Sequence, residues 1–422
     1  MTRISTVSSV NVGLVIGRDR VPTARFATRS LTDALVAACR PAAPAVTKPG
    51  AQAAVTIAAH LQPEGLTTMR PTSTKAIGIA SLVLTLAACG TKQTTTQAGS
   101  TGSTSGYKAC MVTDTGGVDD KSFNQSVWQG LQKTQKAGTA DVQYLSSATS
   151  SDFARNITAL ESAKCDLIFT VGFAMADATT GAAKASPKQH FAIIDNTGDK
   201  KNVQGLLFNT AQSAFMAGYL AAGYSKTGEV ATYGGQDLAP VTAYMDGFWE
   251  GVHYYNNAHH KSVHVLGWDE KTRKGSFAGT FTDQTKGSQL AKNFIQAGAD
   301  VIYPVAGGTG LGTAAAAQAS GGKAAVIWVD TDGCVAAPQY CDVFLTTTYK
   351  GISQAVQTAV KGGAAGNYGT GDYVGTLANG GTGLSPYHDF ASKVPQALQD
   401  EVAKVGKDIR SGAITITSKS QP

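Results

Sequence analysis

The residues best suited to chemistry in this 422-residue chain stand at the ends of short apolar runs. KACMVTD (108–114) leads through Asp114 into TGGVDDKSFNQ, which carries Phe123 and Asn124. DLIFTVG is followed by Phe173, and HFAIID ends in Asp195-Asn196. EVATYGG ends in Gly234-Gly235, with Tyr244 beyond Pro240. ADVIYPVAG runs into a glycine turn opened by Gly307 and Gly308, AAVIWVD ends in Asp330, and DVFLTTT leads to Tyr349-Lys350. Such a set suits a flat, polar, hydroxyl-bearing ligand: rings for its plane, carboxylates and amides for its edge, Lys and Asp for its hydroxyls. The glycine turn lacks a following Lys-Ser/Thr, so it is no P-loop but a tight strand-to-helix turn. No G-x-S-x-G elbow and no zincin pattern occurs. His253, His259, His260 and His264 cluster in VHYYNNAHHKSVHV without metal-ligand spacing, so no metal and no cofactor is expected.

A second chemistry lies upstream. MRPTSTKAIGIASLVLTLAAC (69–89) has a basic start at Arg70 and Lys75, an apolar stretch, and Leu86-Ala87-Ala88 before Cys89. Small residues suit a peptidase, and a thiol is the nucleophile that accepts a diacylglycerol. The stretch is short for a membrane span and reads as a lipoprotein signal ending at Cys89. Residues 1–68 hold six Arg and one Lys against three acids, whereas only three Arg follow Cys89. They are expected to be an over-extended leader, with translation starting at Met69. GTKQTTTQAGSTGSTSG (90–106) has no large apolar residue and reads as a flexible tether.

The net charge of +6 follows the leader. Residues 1–89 contain 9 of the 35 basic and 3 of the 29 acidic residues, so the remainder is formally neutral. That removes the case for nucleic acid or a polybasic membrane surface. Beyond Cys39 and Cys89, four cysteines are left, an even number that favours two disulfides in an exported chain. Cys334 and Cys341 close a short loop. Cys110 and Cys165 each open an apolar run, and would lie side by side if those runs are neighbouring parallel strands. Cys110–Cys165 and Cys334–Cys341 are therefore the expected pairs.

From Tyr107 onward, ten strand-like runs alternate with helical segments such as SFNQSVWQGLQKTQKAG and AQSAFMAGYLAAGYSK. Continuous apolar strands separated by helices imply parallel sheets covered on both faces. Ten strands exceed one comfortable doubly wound sheet, so an α/β chain with two sheets is expected. Ligands in such sheets bind beyond the strand C-termini, where the polar residues above are found.

DTGGVDDKSFNQSVWQG, VAGGTGLG, VIWVDTDG and TYKG, in this order, resemble the basic membrane protein family of ABC-importer substrate-binding lipoproteins, typified by purine nucleoside receptors. The resemblance covers 107–422 and implies a type I periplasmic-binding-protein fold, two doubly wound lobes joined by three crossovers. The first lobe is then 107–209 plus 348–366 and the second 210–347 plus 367–422, with crossovers near Asn209, Thr347 and Asn367. The resemblance implies base recognition by Asp114 and Asn124, and stacking on Phe123 and Tyr244. It implies ribose contacts from Gly307, Gly308, Asp330 and Lys350, and a further contact from Asp283. The expected protein is a lipid-anchored, extracytoplasmic monomer that captures a nucleoside in the cleft and hands it to an ABC permease, without covalent chemistry.

Blander roles stand beside these. Phe123 could be core, Tyr244 could pack between lobes, and Lys350 could be a solvated surface residue. Asp119 and Asp120 read as helix caps. DTGGVDD and VDTDG faintly echo the calcium motif of nucleoside hydrolases, but the second Asp and the Pro are missing. A sugar or a signalling ligand on the same fold is the alternative within the binding class.

Overall fold

The computed structural model describes residues 97–98 and 106–422. Cys89, the 69–89 signal and residues 1–68 lie outside the described residues, as does most of the 90–106 tether. Within that tether, β1 (Gln97–Ala98) pairs antiparallel with a sheet edge, because an edge strand offers unpaired backbone groups.

The first lobe opens with β2 (Lys108–Val112), α1 (Phe123–Lys136), β3 (Asp141–Leu145), α2 (Phe153–Ser162), β4 (Leu167–Val171), α3 (Ala176–Ala185), β5 (His190–Ile194) and β6 (Val203–Phe208). The second follows with α4 (Thr210–Tyr224), β7 (Glu229–Gly234), α5 (Ala239–His259), β8 (His264–Leu266), a small ribbon of β9 (Trp268–Asp269) and β10 (Lys274–Gly275), α6 (Gln284–Gln296), β11 (Val301–Val305), α7 (Gly310–Ala319), β12 (Ala325–Asp330), α8 (Gly333–Ala336) and β13 (Phe344–Lys350). The chain ends with α9 (Ile352–Ala364), β14 (Tyr373–Gly375), β15 (Thr382–Leu384) and α10 (Gln396–Ser411).

The two sheets repeat one plan. The first is ordered β1-β3-β2-β4-β5-β6-β14 and the second β15-β13-β12-β11-β7-β8. In each, five parallel strands take the doubly wound order 2-1-3-4-5. Apolar residues fill both faces of each sheet. Val127 and Leu131 of α1 and Val356 of α9 cover one face of the first, and Ile157 and Leu160 of α2 cover the other.

In the second lobe α4 and α5 approach unusually closely because glycines line their crossing. A Cβ at Gly218 or at Gly251 would come within 2.0 Å of the carbonyl of Phe248 or of Phe215.

Two lobe boundaries differ from expectation. β13 stays in the second sheet through Lys350, so the second crossing falls at Gly351 and not near Thr347. The apolar run simply continues to pair with β12, through Asp330 opposite Tyr349. The chain then remains with the first lobe past Asn367, because β14 pairs with β6 before β15 returns to β13. The first crossing lies between β6 and α4, beside Asn209.

Both disulfides join the expected partners. Cys110 of β2 and Cys165, just before the adjacent β4, are buried with Cα atoms 6.0 Å apart. Cys334 and Cys341 close their loop at 4.6 Å.

Candidate functional site

In the 2-1-3-4-5 order the crevice opens where strand order reverses, beyond the first and third strands of each lobe. The first lobe therefore presents Asp114 after β2 and Gly172-Phe173 after β4. The second presents Gln236 after β7 and Gly307 after β11. These residues line one cavity of about 330 Å³ between the lobes, at the low end of the size range for small-molecule sites, about 300–1,000 Å³. Phe123, Asn124, Tyr244, Asp330 and Lys350 line it too. The sequence-derived residues thus converge, with two exceptions. Gly308 follows the lining residue Gly307 but is not itself in the wall. Asp283 caps α6, accepting from the backbone N–H groups of Thr285 and Lys286. Its carboxylate is committed to orphan helix donors, which is why the position holds an Asp.

One end of the cavity is built on Asp114. Its Oδ1 accepts from Asn124 Nδ2 at 2.7 Å and from Gly116 N at 2.8 Å, and Asn124 Oδ1 accepts from Asp114 N at 3.2 Å. Among the hydrogen bonds of the described residues none reaches Asp114 Oδ2. Burial raises the Asp114 carboxyl above its ordinary range, the bonds from Asn124 and Gly116 pull it down, and the charges of Asp195 and Asp330 add to the rise. Asp120 holds this end together. It accepts from the N–H groups of Ser122, Asn124 and Gln125 and from Asn124 Nδ2, so it acts as a cap for α1. Burial pushes it up to about 6 despite these bonds. Asp119 is exposed and pairs with Lys121.

The other end is a buried charge cluster. Lys350 Nζ lies 2.5 Å from Asp195 Oδ2 and 3.7 Å from Asp330 Oδ1. Burial opposes the charge on Lys350, but the two carboxylates outweigh it and hold the ammonium above its ordinary range. Asp330 also accepts from Tyr244 OH at 2.9 Å and from Ser122 Oγ at 2.5 Å. Burial, then Asp330, pushes the Tyr244 hydroxyl well up, so it stays a donor. Asp195 and Asp330 end the equivalent fourth strands of the two lobes, and both have left-handed backbones, φ 62° and 66°. Non-glycine residues adopt that conformation at a cost, and such strain collects at functional sites. The Ser122–Asp330 and Asp195–Lys350 contacts, with Trp328 Nε1 donating to the Lys121 carbonyl at 3.2 Å, tie the two lobes directly together.

Sequence reasoning missed two contributors. Asp195 stood among the strand-end residues without a role. The repetition of Asp195-Asn-Thr-Gly as Asp330-Thr-Asp-Gly, each after an apolar strand, was the available signal. Phe281 lines the cavity from the second lobe, packed against Gly235 and Gly307. It belongs to the FTD stretch, which contributes through its ring and not through Asp283. Tyr244 is buried and bound to Asp330, and its ring flanks Lys350 Nζ at 5.4 Å opposite Phe123 at 4.8 Å. It belongs with the charge cluster.

Two parallel-sheet lobes around a polar inter-lobe cavity define a ligand-binding protein of the periplasmic-binding type. Residues 107–420 match the family model of PnrA-like (Bmp) ABC transporter substrate-binding proteins, and the chain belongs to that family. It is 33% identical over 336 residues to a Lactococcus lactis protein named ABC transporter nucleoside-binding protein BmpA, covering 74% of this chain and 89% of the relative. It is 34% identical over 338 residues to the CD4+ T-cell-stimulating antigen of Listeria innocua, covering 76% and 90%. An ABC transporter solute-binding protein of Aeropyrum pernix K1 superposes with a TM-score of 0.66 at 25% identity, covering 74% of this chain and 93% of that structure. The chain is an ABC transporter substrate-binding protein, whose partners are a ligand and a permease. Among the described residues no helix is long and apolar enough to cross a membrane.

Proposed function

We propose that the cavity binds a nucleoside, most favourably a purine one, for delivery to the permease. The observation that carries this reading is the unpartnered Asp114 Oδ2, beside Asn124 in the wall of the cavity that Lys350, Asp195 and Asp330 also line. A ring or exocyclic N–H of a base supplies the donor that oxygen lacks, and Asn124 both donates and accepts. Phe123 from one lobe and Phe281 from the other are the rings for a base between them, with Tyr244 reserved for the Asp330 end. Lys350, Asp195 and Asp330 match a vicinal diol, which donates and accepts, and hydrogen bonds to charged groups are the stronger class. Because the ligand touches both lobes, it biases their opening and closing and so marks the loaded state for the permease. The printed name of the Lactococcus relative supports the same ligand class.

The reading includes an extracytoplasmic monomer anchored through lipid on Cys89. Its support is the order Leu86-Ala87-Ala88-Cys89 after a basic, then apolar, stretch. A Cys89→Ser chain that stays in the membrane fraction counts against the anchor.

The test of ligand class is calorimetric titration with adenosine, guanosine, inosine, cytidine, uridine and ribose, followed by recovery of the ligand. Tight binding of intact purine nucleosides supports the reading. Silence across the panel from folded protein removes the nucleoside, and release of free base makes the protein a hydrolase.

A further inference from the structure

Outside the cleft, Asp332, Cys334 and His388 each offer one ligand atom, and these three atoms lie within 4.8 Å of one another. Cys341 joins them through its disulfide to Cys334. His388 Nε2 and Asp332 Oδ2 are 2.8 Å apart. The group is reachable from solvent: His388 is exposed and the neighbouring Val335 is 72% exposed. His388 also holds a left-handed backbone, φ 43°, a strained conformation for a residue other than glycine. The four donors come from 332–341 and from a turn more than forty residues later. No linear spacing motif reports them.

We propose that Asp332, Cys334, Cys341 and His388 form a redox-gated site for zinc or a similar thiolate-binding divalent cation. With the disulfide closed, the sulfurs are neutral and bonded to each other, and only His and Asp are left, too few for a tetrahedral site. A dithiol reductant opens it. The S–S bond breaks, two electrons and two protons pass to Cys334 and Cys341, and the reductant leaves as its own disulfide. The metal then displaces both thiol protons and takes the place of the hydrogen between His388 Nε2 and Asp332 Oδ2. The result is a Cys₂HisAsp set. A zinc tetrahedron of such ligands has edges of about 3.3–3.8 Å, so His388 Nε2 and Asp332 Oδ2, now 2.8 Å apart, and the two freed sulfurs move apart, while donors as far as 4.8 Å from one another close in by up to about 1 Å. Cys110–Cys165 is buried in the sheet, and among the described residues no group of His, Asp or Glu ligands gathers with it.

Cobalt(II) is the probe, because tetrahedral thiolate coordination gives a near-ultraviolet charge-transfer band and strong visible bands. The full chain is titrated after phosphine reduction and, separately, with its disulfides intact. The expected result is one cobalt per reduced chain, displaced by zinc, and no band in the oxidised protein. His388→Ala keeps every thiol and should weaken uptake by at least the about 10–100-fold that loss of a supporting ligand contact costs. Cys341→Ser should lose much of the charge-transfer intensity. Circular dichroism checks folding, and Asp332→Asn replaces either variant that fails. Equal uptake by His388→Ala, uptake by the oxidised chain, or none by the reduced one overturns the site.

Discussion

The two ends of the cleft are built on opposite principles. At the Lys350 end the buried charges satisfy one another: Lys350 with Asp195 and Asp330, and Asp330 with Tyr244 and Ser122. At the Asp114 end, one carboxylate oxygen is bonded and the other is left open. Both ends use acids at strand C-termini and line the cavity, yet the Lys350 end also joins the lobes. A buried charge that already has partners is structural before it is functional. A half-buried acceptor that opens into a cavity is free to take a donor from a ligand in exchange for water.

The largest effect separating the two ends should come from Lys350→Met. It leaves two carboxylates buried without their cation and should cost about 3–5 kcal/mol of stability at neutral pH, measured by urea unfolding. A loss below 1 kcal/mol would mean that the cluster does not hold the lobes. Asp114→Ala should behave oppositely, weakening nucleoside binding by about 1–3 kcal/mol while leaving urea stability unchanged or slightly higher. Unaltered affinity in calorimetry would erase the contrast between the ends. Phe281→Ala and Phe123→Ala should each reduce affinity by a similar or smaller amount, about 1–3 kcal/mol. If Tyr244→Ala alone weakens stacking, the second ring was misassigned.

Acidity sharpens the comparison. The folded-state pKa of Asp114 is raised, so its proton is held more tightly in the folded chain. Its contribution to stability therefore grows as pH falls from the raised value toward the ordinary 3.8. An ionised carboxylate accepts an N–H more strongly than a protonated one, so affinity should fall over that same window. Affinity that stays flat down to pH 4 would contradict the role given to Asp114. The smallest effect belongs to Asp283→Ala, a lost helix cap of about 0.5–2 kcal/mol with no change in binding.

Much of this was legible in the chain. Unbroken apolar runs such as CMV, LIFTV and VIWV dictate buried parallel strands, and polar residues after them mark the cleft. What escaped depends on three-dimensional bookkeeping. Nothing in the letters alone distinguishes Asp283, a cap, from Asp114, which opens into the cavity; both follow a Thr at the end of an apolar stretch. Phe281 became a cleft residue only because Gly235 and Gly307 leave room for its ring. The crossover at Gly351 escaped because β13 continues pairing beyond its apolar residues, through Thr346, Thr347 and Thr348, to Lys350.

Whether one ligand spans both ends of the cleft is read from titrating the protein in turn with inosine, hypoxanthine and ribose. Inosine should bind more than about tenfold tighter than either fragment, a difference of at least about 1.4 kcal/mol. Ribose binding as tightly as inosine would contradict it, leaving the Asp114 end without a ligand to complete it.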